Sequence, residues 1–254
     1  MDLGLRDLVV LITGAGGGAG PTLARAFAAE GAAVALQHRP SSPSAVRAES
    51  AAAKIRDAGG RAMAIAAELG STDEIEAMVD RVADELGPVS VLVTATSAFR
   101  SERIQEISDD SWVSVVDDLL GATFRTCRAV VPAMQAAGWG RIVNVAARSG
   151  LVGVSRASHY AAAKAGIVGL TASLAKELGP SGILVNAVAP TQIVTSRDGV
   201  PSIPDERAAE MARGIPLRRL ATPDDLAALV MWLGSAANSY VTGETVSLHG
   251  GDQR

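Results

Sequence analysis

Tyr160 and Lys164 are the two side chains of this sequence whose types and spacing most clearly allow chemistry. They lie four residues apart in the segment Ser155 to Gly169, which is rich in alanine, the strongest helix former. Positions i and i+4 of a helix lie on one face, so the phenol and the ammonium group would be neighbours. A neighbouring cation lowers the pKa of a phenol, which can then exchange a proton with a carbonyl or alcohol oxygen. Considered alone, this spacing is more typical of a solvated tyrosine and lysine on an alanine-rich helix.

A glycine-rich stretch near the start of the chain has the pattern of a phosphate-binding turn. It runs from Thr13 to Gly20, after a short apolar run and before a segment that is expected to be helical. Glycines let backbone N–H groups approach a pyrophosphate, and the N-terminus of the following helix favours an anion. A tight strand-to-helix turn also needs glycine, but the flanking elements favour a dinucleotide. The candidate binding residues are Gly14, Gly16, Gly18 and Gly20.

The end of the second predicted strand indicates which dinucleotide is bound. An acidic residue at this place would accept hydrogen bonds from the adenosine ribose and repel a 2′-phosphate. This chain has Gln37, His38 and Arg39 instead. Arg39 can bind a phosphate through charge-assisted hydrogen bonds, and the alternative is a solvated surface arginine. The sequence therefore favours NADP(H) over NAD(H).

Apolar runs typical of strands alternate with helix-forming segments along the chain. Strands are predicted at residues 8–12, 34–37, 62–66, 89–94, 141–145, 183–188 and 244–248. Helices are predicted at residues 21–30, 45–58, 72–86 and 109–137, in the segment of Tyr160 and Lys164, and from about residue 223. This alternation predicts an α/β fold, a doubly wound parallel sheet of the Rossmann type with helices on both faces. A single domain over residues 1–254 is expected, since α/β folds of this size commonly stay undivided.

Three details of this pattern can be compared with a structure. Ser71 or Thr72 is expected to cap the helix at 72–86. The long helix at 109–137 contains Pro132, which favours a kink there. Residues 191–215 lose the strand–helix alternation, and a loop of this length in a compact domain is usually functional or mobile.

The composition is that of an ordinary globular protein, with 48% hydrophobic and 20% charged residues. The net charge of −4 argues against a nucleic-acid surface. The apolar run at 8–12 is too short to span a membrane, and no targeting segment is evident. Cys127 is the single cysteine and cannot form an internal disulfide, so a cytoplasmic location is expected. His38, His159 and His249 show no metal-ligand spacing, so no metal is expected.

Further motifs extend the pattern to the C-terminus. Asn186 to Pro190 matches the stretch after the sixth strand of a known family, and the C-terminal segments that match it are Ile215-Pro216-Leu217, Arg219, Pro223 and Thr242-Gly243. With the turn at Thr13 to Gly20 and the pair Tyr160 and Lys164, the chain resembles the short-chain dehydrogenase/reductase family almost from end to end. It is most similar to family members of the 3-oxoacyl-carrier-protein reductase type. This resemblance implies a Rossmann-type fold and oxidoreductase activity.

The resemblance also implies a role for individual residues. Tyr160 would be the general acid/base, and Lys164 would lower its pKa and hold the nicotinamide ribose. Glu68 stands where an aspartate usually contacts adenine, and Ile193 and Thr195 would contact the nicotinamide carboxamide.

At a larger scale, the resemblance implies a small-molecule carbonyl or alcohol substrate and a homo-oligomer. Residues 191–215 would close over the substrate as a lid and set its identity. Tetramers or dimers packed through the two long helices are usual in the family. No nucleic-acid or membrane partner is expected.

Three departures from the family pattern concern the reacting centre. Ala147 lies thirteen residues before Tyr160, where the family has its catalytic serine. Leu119 replaces the asparagine of the long helix that supports a proton-relay water. The segment Thr94 to Ser97 replaces the family's Asn-Asn-Ala-Gly. A smaller change, outside these three, is Thr191 in place of a glycine.

The loss of the serine is the departure with the most direct chemical consequence. An alanine side chain cannot donate a hydrogen bond to a carbonyl oxygen, and removing one such donor typically lowers the rate ~10²–10³-fold. Ser149, Arg148 or His159 could supply another donor.

Two hypotheses follow from the matches and the departures. The first is an NADP(H)-dependent oxidoreductase that interconverts a carbonyl and a secondary alcohol through Tyr160 and Lys164. The alternative is a weakly active or inactive cofactor-binding paralogue with a structural or regulatory role. The retained pair favours the first hypothesis, and the joint loss of serine and asparagine favours the second.

Overall fold

The computed structural model describes residues 2–197 and 200–252, in which strands and helices alternate. The strands are β1 Val9–Thr13, β2 Ala33–His38, β3 Ala62–Ala66, β4 Val91–Thr94, β5 Gly140–Val145, β6 Ile183–Pro190, β7 Ser196–Arg197, β8 Val200–Pro201 and β9 Thr245–Leu248. The α-helices are α1 Gly20–Ala29, α2 Pro43–Asp57, α3 Thr72–Glu85, α4 Asp109–Val116, α5 Ala122–Ala137, α6 Ser149–Val152, α7 Ser158–Leu178, α8 Asp205–Ala212 and α9 Pro223–Leu233.

Within the described residues, seven parallel strands form one sheet in the order β3-β2-β1-β4-β5-β6-β9. The strand order reverses between β1 and β4. In such sheets the helices after the two strands run to opposite faces, and a crevice opens at the carboxyl ends of the strands. The prediction of a doubly wound, Rossmann-type α/β fold is confirmed.

Both faces of the sheet are covered by helices, which explains the continuous apolar runs of its strands. On β1, Val10 and Ile12 pack in a core that includes residues of α1, α2 and α9. Val9 and Leu11 point to the other face and pack with residues of α3, α5 and α7. Because successive side chains of a strand alternate between faces, a strand buried on both sides needs an apolar residue at nearly every position.

The predicted elements agree with these bounds to within a few residues. The strand predicted at 62–66 coincides with β3. Ser71 is the N-cap of α3, and its hydroxyl accepts a hydrogen bond from the backbone N–H of Glu74 at 3.3 Å. Gly179 begins a short 3₁₀ turn directly after α7.

The long helix predicted at 109–137 is interrupted, although not at Pro132. A π-helical turn, Asp117–Gly121, joins α4 to α5. The α5 helix continues through Pro132 to its end. The sequence did not indicate this π-helical turn, because it is a change of hydrogen-bond register that no single residue type marks.

Residues 191–215 contain more regular structure than the sequence predicted. They include the eight-residue helix α8 and the short antiparallel pair of β7 and β8. Ile203, Ile215 and Leu220 form a small separate apolar cluster beneath this segment. The helix was not predicted because a short helix that covers only a small cluster has too few apolar residues to show a helical repeat in the sequence. Two residues of the predicted lid, 198 and 199, lie outside the described residues.

Candidate active site

An open cleft of about 910 Å³ lies at the carboxyl ends of the parallel strands. Its walls are the segments that follow β1, β2, β3, β4, β5 and β6, together with one side of α7. The residues that the sequence assigned to cofactor binding and to the Tyr160–Lys164 pair all line this cleft. These residues are Gly14, Gly16, Gly18, Gly20, Arg39, Glu68, Tyr160, Lys164, Ile193 and Thr195.

The glycine-rich turn packs so closely against neighbouring segments that several of its positions have no space for a side chain. Gly14 has a φ of +67°, a conformation that other L-residues rarely adopt. A Cβ at Gly16 would collide with the backbone oxygen of Ser44 in α2. A Cβ at Gly18 would lie 2.5 Å from the side chain of Thr195. The turn therefore packs tightly between α2 and the segment after β6, and it precedes the N-terminus of α1, as a dinucleotide phosphate site requires.

Gln37 holds this turn in place, a role that the sequence did not reveal. Its side chain is buried, and its Oε1 accepts a hydrogen bond from the backbone N–H of Gly14 at 2.7 Å. Its Nε2 donates to the carbonyl oxygen of Ala67 at 2.8 Å. The amide thus connects the turn after β1 to the end of β3. A polar residue inside an otherwise apolar strand was the signal that could have indicated this bridge.

Arg39 lies at the rim of the cleft between two carboxylates. Its Nε is 3.4 Å from Glu68 Oε2, and its Nη2 is 3.5 Å from Asp118 Oδ1 in the π-helical turn. These groups are substantially exposed, so the ion pairs are weak. A phosphate bound by Arg39 would have to displace both carboxylates, whose negative charges repel it. Arg47 of α2 also lines the cleft, and its Nε donates to the carbonyl oxygen of Gly16 at 2.8 Å.

Lys164 is almost completely buried at the centre of the cleft, with 2% of its surface exposed. Its Nζ donates hydrogen bonds to the carbonyl oxygens of Val145 at 2.7 Å and Thr96 at 3.2 Å. The same atom lies 5.9 Å from the centre of the Tyr160 ring. Burial lowers the pKa of the Lys164 ammonium group to about 7, because a charge is less stable away from water. Carbonyl dipoles, rather than a carboxylate, stabilise this charge.

Burial raises the pKa of the Tyr160 phenol above its ordinary value. The lowering of this pKa by Lys164 stays a prediction from the family resemblance. Desolvation of the phenolate dominates, since the ammonium group is directed to two backbone carbonyls and its own charge is weakened by burial. The edge of the Phe99 ring meets Tyr160 with 5.2 Å between the ring centres, and the contact adds to the desolvation.

Ala147 and Leu119, the two replaced family positions, both hold buried apolar side chains. Ala147 lines the cleft at the end of β5. Leu119 lies in the π-helical turn, fully buried, in a cluster that includes Val115, Ala163 and Tyr160. Leu119 thus packs an alkyl group against Tyr160, and Ala147 contributes a methyl group to the wall of the same cleft.

Thr94, which replaces an asparagine of the family pattern, takes part in a buried chain of hydrogen bonds. Thr94 Oγ1 donates to Asn144 Oδ1 at 2.9 Å, and Asn144 Nδ2 donates to Thr171 Oγ1 at 2.9 Å. This chain connects β4, β5 and α7. The polar groups at the base of the cleft are therefore paired.

The three candidate replacements for the missing serine occupy different environments. Ser149 lines the cleft, whereas Arg148 and His159 do not. His159 is completely buried, and its Nε2 lies 3.5 Å from Glu102 Oε2. The hydroxyl of Ser111 donates to the same carboxylate oxygen at 2.7 Å. His159 as a donor to substrate was a prediction that this placement contradicts, because the imidazole faces Glu102 outside the cleft.

The described residues contain no group of three or more His, Cys, Asp or Glu side chains placed to hold a metal ion. In the same part of the chain, no helix has the length and apolar character that a bilayer crossing requires.

A doubly wound sheet with a glycine-rich turn and a buried lysine beside a tyrosine at its carboxyl edge defines a dinucleotide-binding α/β protein. Residues 14–252 match the family described as enoyl-(acyl carrier protein) reductase. The chain belongs to the short-chain dehydrogenase/reductase family, whose members are oxidoreductases that act with a nicotinamide cofactor.

Individual relatives cover nearly the whole chain. A nodulation protein G of Azospirillum brasilense is 34% identical over 96% of this chain and 97% of its own length. A 3-oxoacyl-[acyl-carrier-protein] reductase of Staphylococcus aureus is 35% identical, over 95% and 96% respectively. A probable galactose dehydrogenase of Rhizobium meliloti is also 35% identical, over 97% and 95%. These names span a carrier-bound acyl group and a sugar, so the relationship assigns the type of reaction and leaves the substrate open.

Proposed function

We propose that this protein is an NADP(H)-dependent oxidoreductase that interconverts a carbonyl and a secondary alcohol on a small molecule. The observation that carries this proposal is the placement of Lys164, buried and bound to two carbonyls, beside Tyr160 in the cleft that also holds the glycine-rich turn. Burying an ammonium group without a carboxylate is costly. A functional reason is therefore expected for its position.

The cleft has the chemistry that a nicotinamide dinucleotide needs, and the cofactor supplies or accepts the hydride. The glycines at 14, 16, 18 and 20 would lie against its pyrophosphate, and Glu68 near its adenine. Arg39 would bind its 2′-phosphate. Ile193 and Thr195 would contact its carboxamide, and Lys164 its ribose.

Tyr160 would transfer the proton to or from the substrate oxygen. Because burial raises the pKa of its phenol, Tyr160 is protonated at neutral pH and suited to donate a proton to a carbonyl oxygen. The burial of the phenol thus favours the tyrosine as a general acid, in the direction of carbonyl reduction.

A turnover assay tests this function. A panel of aldehydes and ketones with NADPH or NADH, and of secondary alcohols with the oxidised cofactors, is followed by cofactor absorbance. We expect turnover of at least one substrate and a preference for NADPH. Tight cofactor binding without any turnover would instead support the second candidate, a cofactor-binding paralogue with a structural or regulatory role. Ala147 and Leu119, which place alkyl groups where the family has polar ones, are the observations that favour this alternative.

We further propose a homo-oligomer, either a dimer or a tetramer. The supporting observation is the exposure of large apolar side chains on α4 and α5, at Trp112, Val113 and Phe124. A cytoplasmic location remains a prediction from the sequence.

A further inference from the structure

A buried polar atom without a hydrogen-bond partner requires an explanation, because buried side-chain donors and acceptors are nearly always paired. Within residues 2–197 and 200–252, the buried side-chain nitrogen and oxygen atoms that lack a hydrogen-bond partner belong to two residues, Ser149 and His159. His159 has the carboxylate of Glu102 within 3.5 Å, which gives its Nε2 an electrostatic neighbour. The hydroxyl of Ser149 has no such neighbour.

The position of Ser149 indicates what its hydroxyl could meet. Ser149 begins α6, two residues beyond Ala147, and the tight turn between them is closed by a hydrogen bond from the N–H of Gly150 to the carbonyl oxygen of Ala147 at 2.9 Å. Both Ser149 and Ala147 line the cleft that contains Tyr160 and Lys164. The Oγ atom is shielded from water, and rotation about its single χ angle moves it between staggered positions at little cost.

We infer that Ser149 donates the hydrogen bond to the substrate oxygen that residue 147 cannot supply. The inference rests on the proposed function. In carbonyl reduction the proton added to the oxygen comes from Tyr160, while the Ser149 hydroxyl keeps its own proton and stabilises the negative charge that develops on that oxygen. The substrate oxygen would also accept a hydrogen bond from the Ser149 hydroxyl, which otherwise has no partner.

Ser149→Ala is the direct test, in the full-length protein with NADPH and a ketone that the wild type reduces. We expect kcat/KM to fall ~10²–10³-fold, as the loss of one such donor implies. The affinity for NADPH should not change. The melting temperature should stay the same or rise, because removing a buried hydroxyl without a partner removes no native hydrogen bond.

Three further variants separate a catalytic hydroxyl from a structural one. Ser173→Ala is the matched control, since this exposed serine of α7 donates only to the carbonyl oxygen of Gly169 at 3.0 Å, and its activity should equal that of the wild type. Ser149→Thr keeps a hydroxyl and should retain most of the activity. Ala147→Ser in the Ser149→Ala background restores a hydroxyl at the family position and should recover much of the lost rate.

Each unfavourable result has a distinct meaning. A wild type that binds NADPH and reduces no member of the panel contradicts the proposed function and the inference with it. An active wild type with an equally active Ser149→Ala variant overturns the inference alone. A Ser149→Ala variant that loses activity and melting temperature together, without recovery by Ala147→Ser, shows a structural serine and also overturns it.

Discussion

Tyr160 is the residue on which the proposed proton transfer depends. Its neighbours are the Lys164 ammonium group and the ring of Phe99, and the balance between charge and burial keeps the phenol protonated. The same burial that opposes the phenolate also weakens the ammonium charge beside it. Chemistry at this site therefore begins from a neutral phenol.

Tyr160→Phe should reduce turnover by about 10²–10⁴-fold, the contribution of a positioned general acid, and leave NADPH affinity unchanged. The phenyl ring keeps the contact with Phe99, so the fold should be preserved. Steady-state kinetics and a fluorescence titration with NADPH measure the two quantities. Tyr240→Phe is the control, because Tyr240 is 95% exposed. Undiminished turnover in the Tyr160 variant would assign the proton transfer to another residue.

Arg39→Ala should remove most of the preference for NADPH over NADH. The loss of one charge-assisted hydrogen bond to a phosphate lowers NADPH affinity by about 10–100-fold, and NADH affinity should barely change. Isothermal titration with both cofactors measures the difference. Arg81→Ala is the matched control, since this exposed arginine of α3 pairs with Glu85. Equal affinities of the wild type for the two cofactors would contradict the prediction.

The buried Lys164 predicts a pH dependence of folding stability. Its pKa is about 7 in the folded protein and near 10.5 in the unfolded chain. Between these values the unfolded chain binds the additional proton, so raising the pH stabilises the folded state by about 1.4 kcal/mol per pH unit. Chemical denaturation from pH 7 to 10 should show this slope in the wild type and in Lys176→Met, a control on an exposed lysine. Lys164→Met should lack it, and an identical slope in that variant would refute the assignment.

At the scale of elements, the π-helical turn between α4 and α5 shapes the floor beside Tyr160. It places Leu119 in the apolar cluster with Val115 and Ala163, and it brings Asp118 to the rim near Arg39. A π turn shifts the register of a helix by one residue. The π-helical turn therefore contributes residues near Tyr160 and near Arg39, at two separate parts of the cleft.

Leu119→Asn, which would restore the residue type of the family, should destabilise this protein. The substitution removes a fully buried side chain and leaves an amide among Val115, Ala163 and Tyr160, at a cost of about 2–5 kcal/mol. Urea denaturation measures the change. Leu217→Asn, at an exposed leucine, is the control and should cost little. A Leu119 variant of wild-type stability would mean that a partner for the amide is already present.

For the whole molecule, the exposed apolar side chains of α4 and α5 predict assembly. Light scattering should give a multiple of the 25.9 kDa chain mass. Val113→Glu places a charge among these side chains and should shift the mass toward the monomer. Val46→Glu is the matched control, because Val46 is an exposed valine of α2 at 72% exposure. A wild type that is monomeric at all concentrations would contradict the proposed oligomer.

The sequence by itself determined the class of fold and the place of the cleft. A strand buried on both faces must be continuously apolar, and a turn at a phosphate site must be rich in glycine, so both leave a local pattern at β1 and Gly14. Tyr160 and Lys164 could also be found, because i, i+4 spacing is a local property of a helix.

Only the tertiary structure decided how these groups behave. The bridge from Gln37 to Gly14 and Ala67 joins segments far apart in the chain. Burial raises the pKa of Tyr160, and the hydroxyl of Ser149 is buried without a hydrogen-bond partner. Desolvation and long-range hydrogen bonding depend on which segments meet in space. No pattern within one stretch of sequence contains that information.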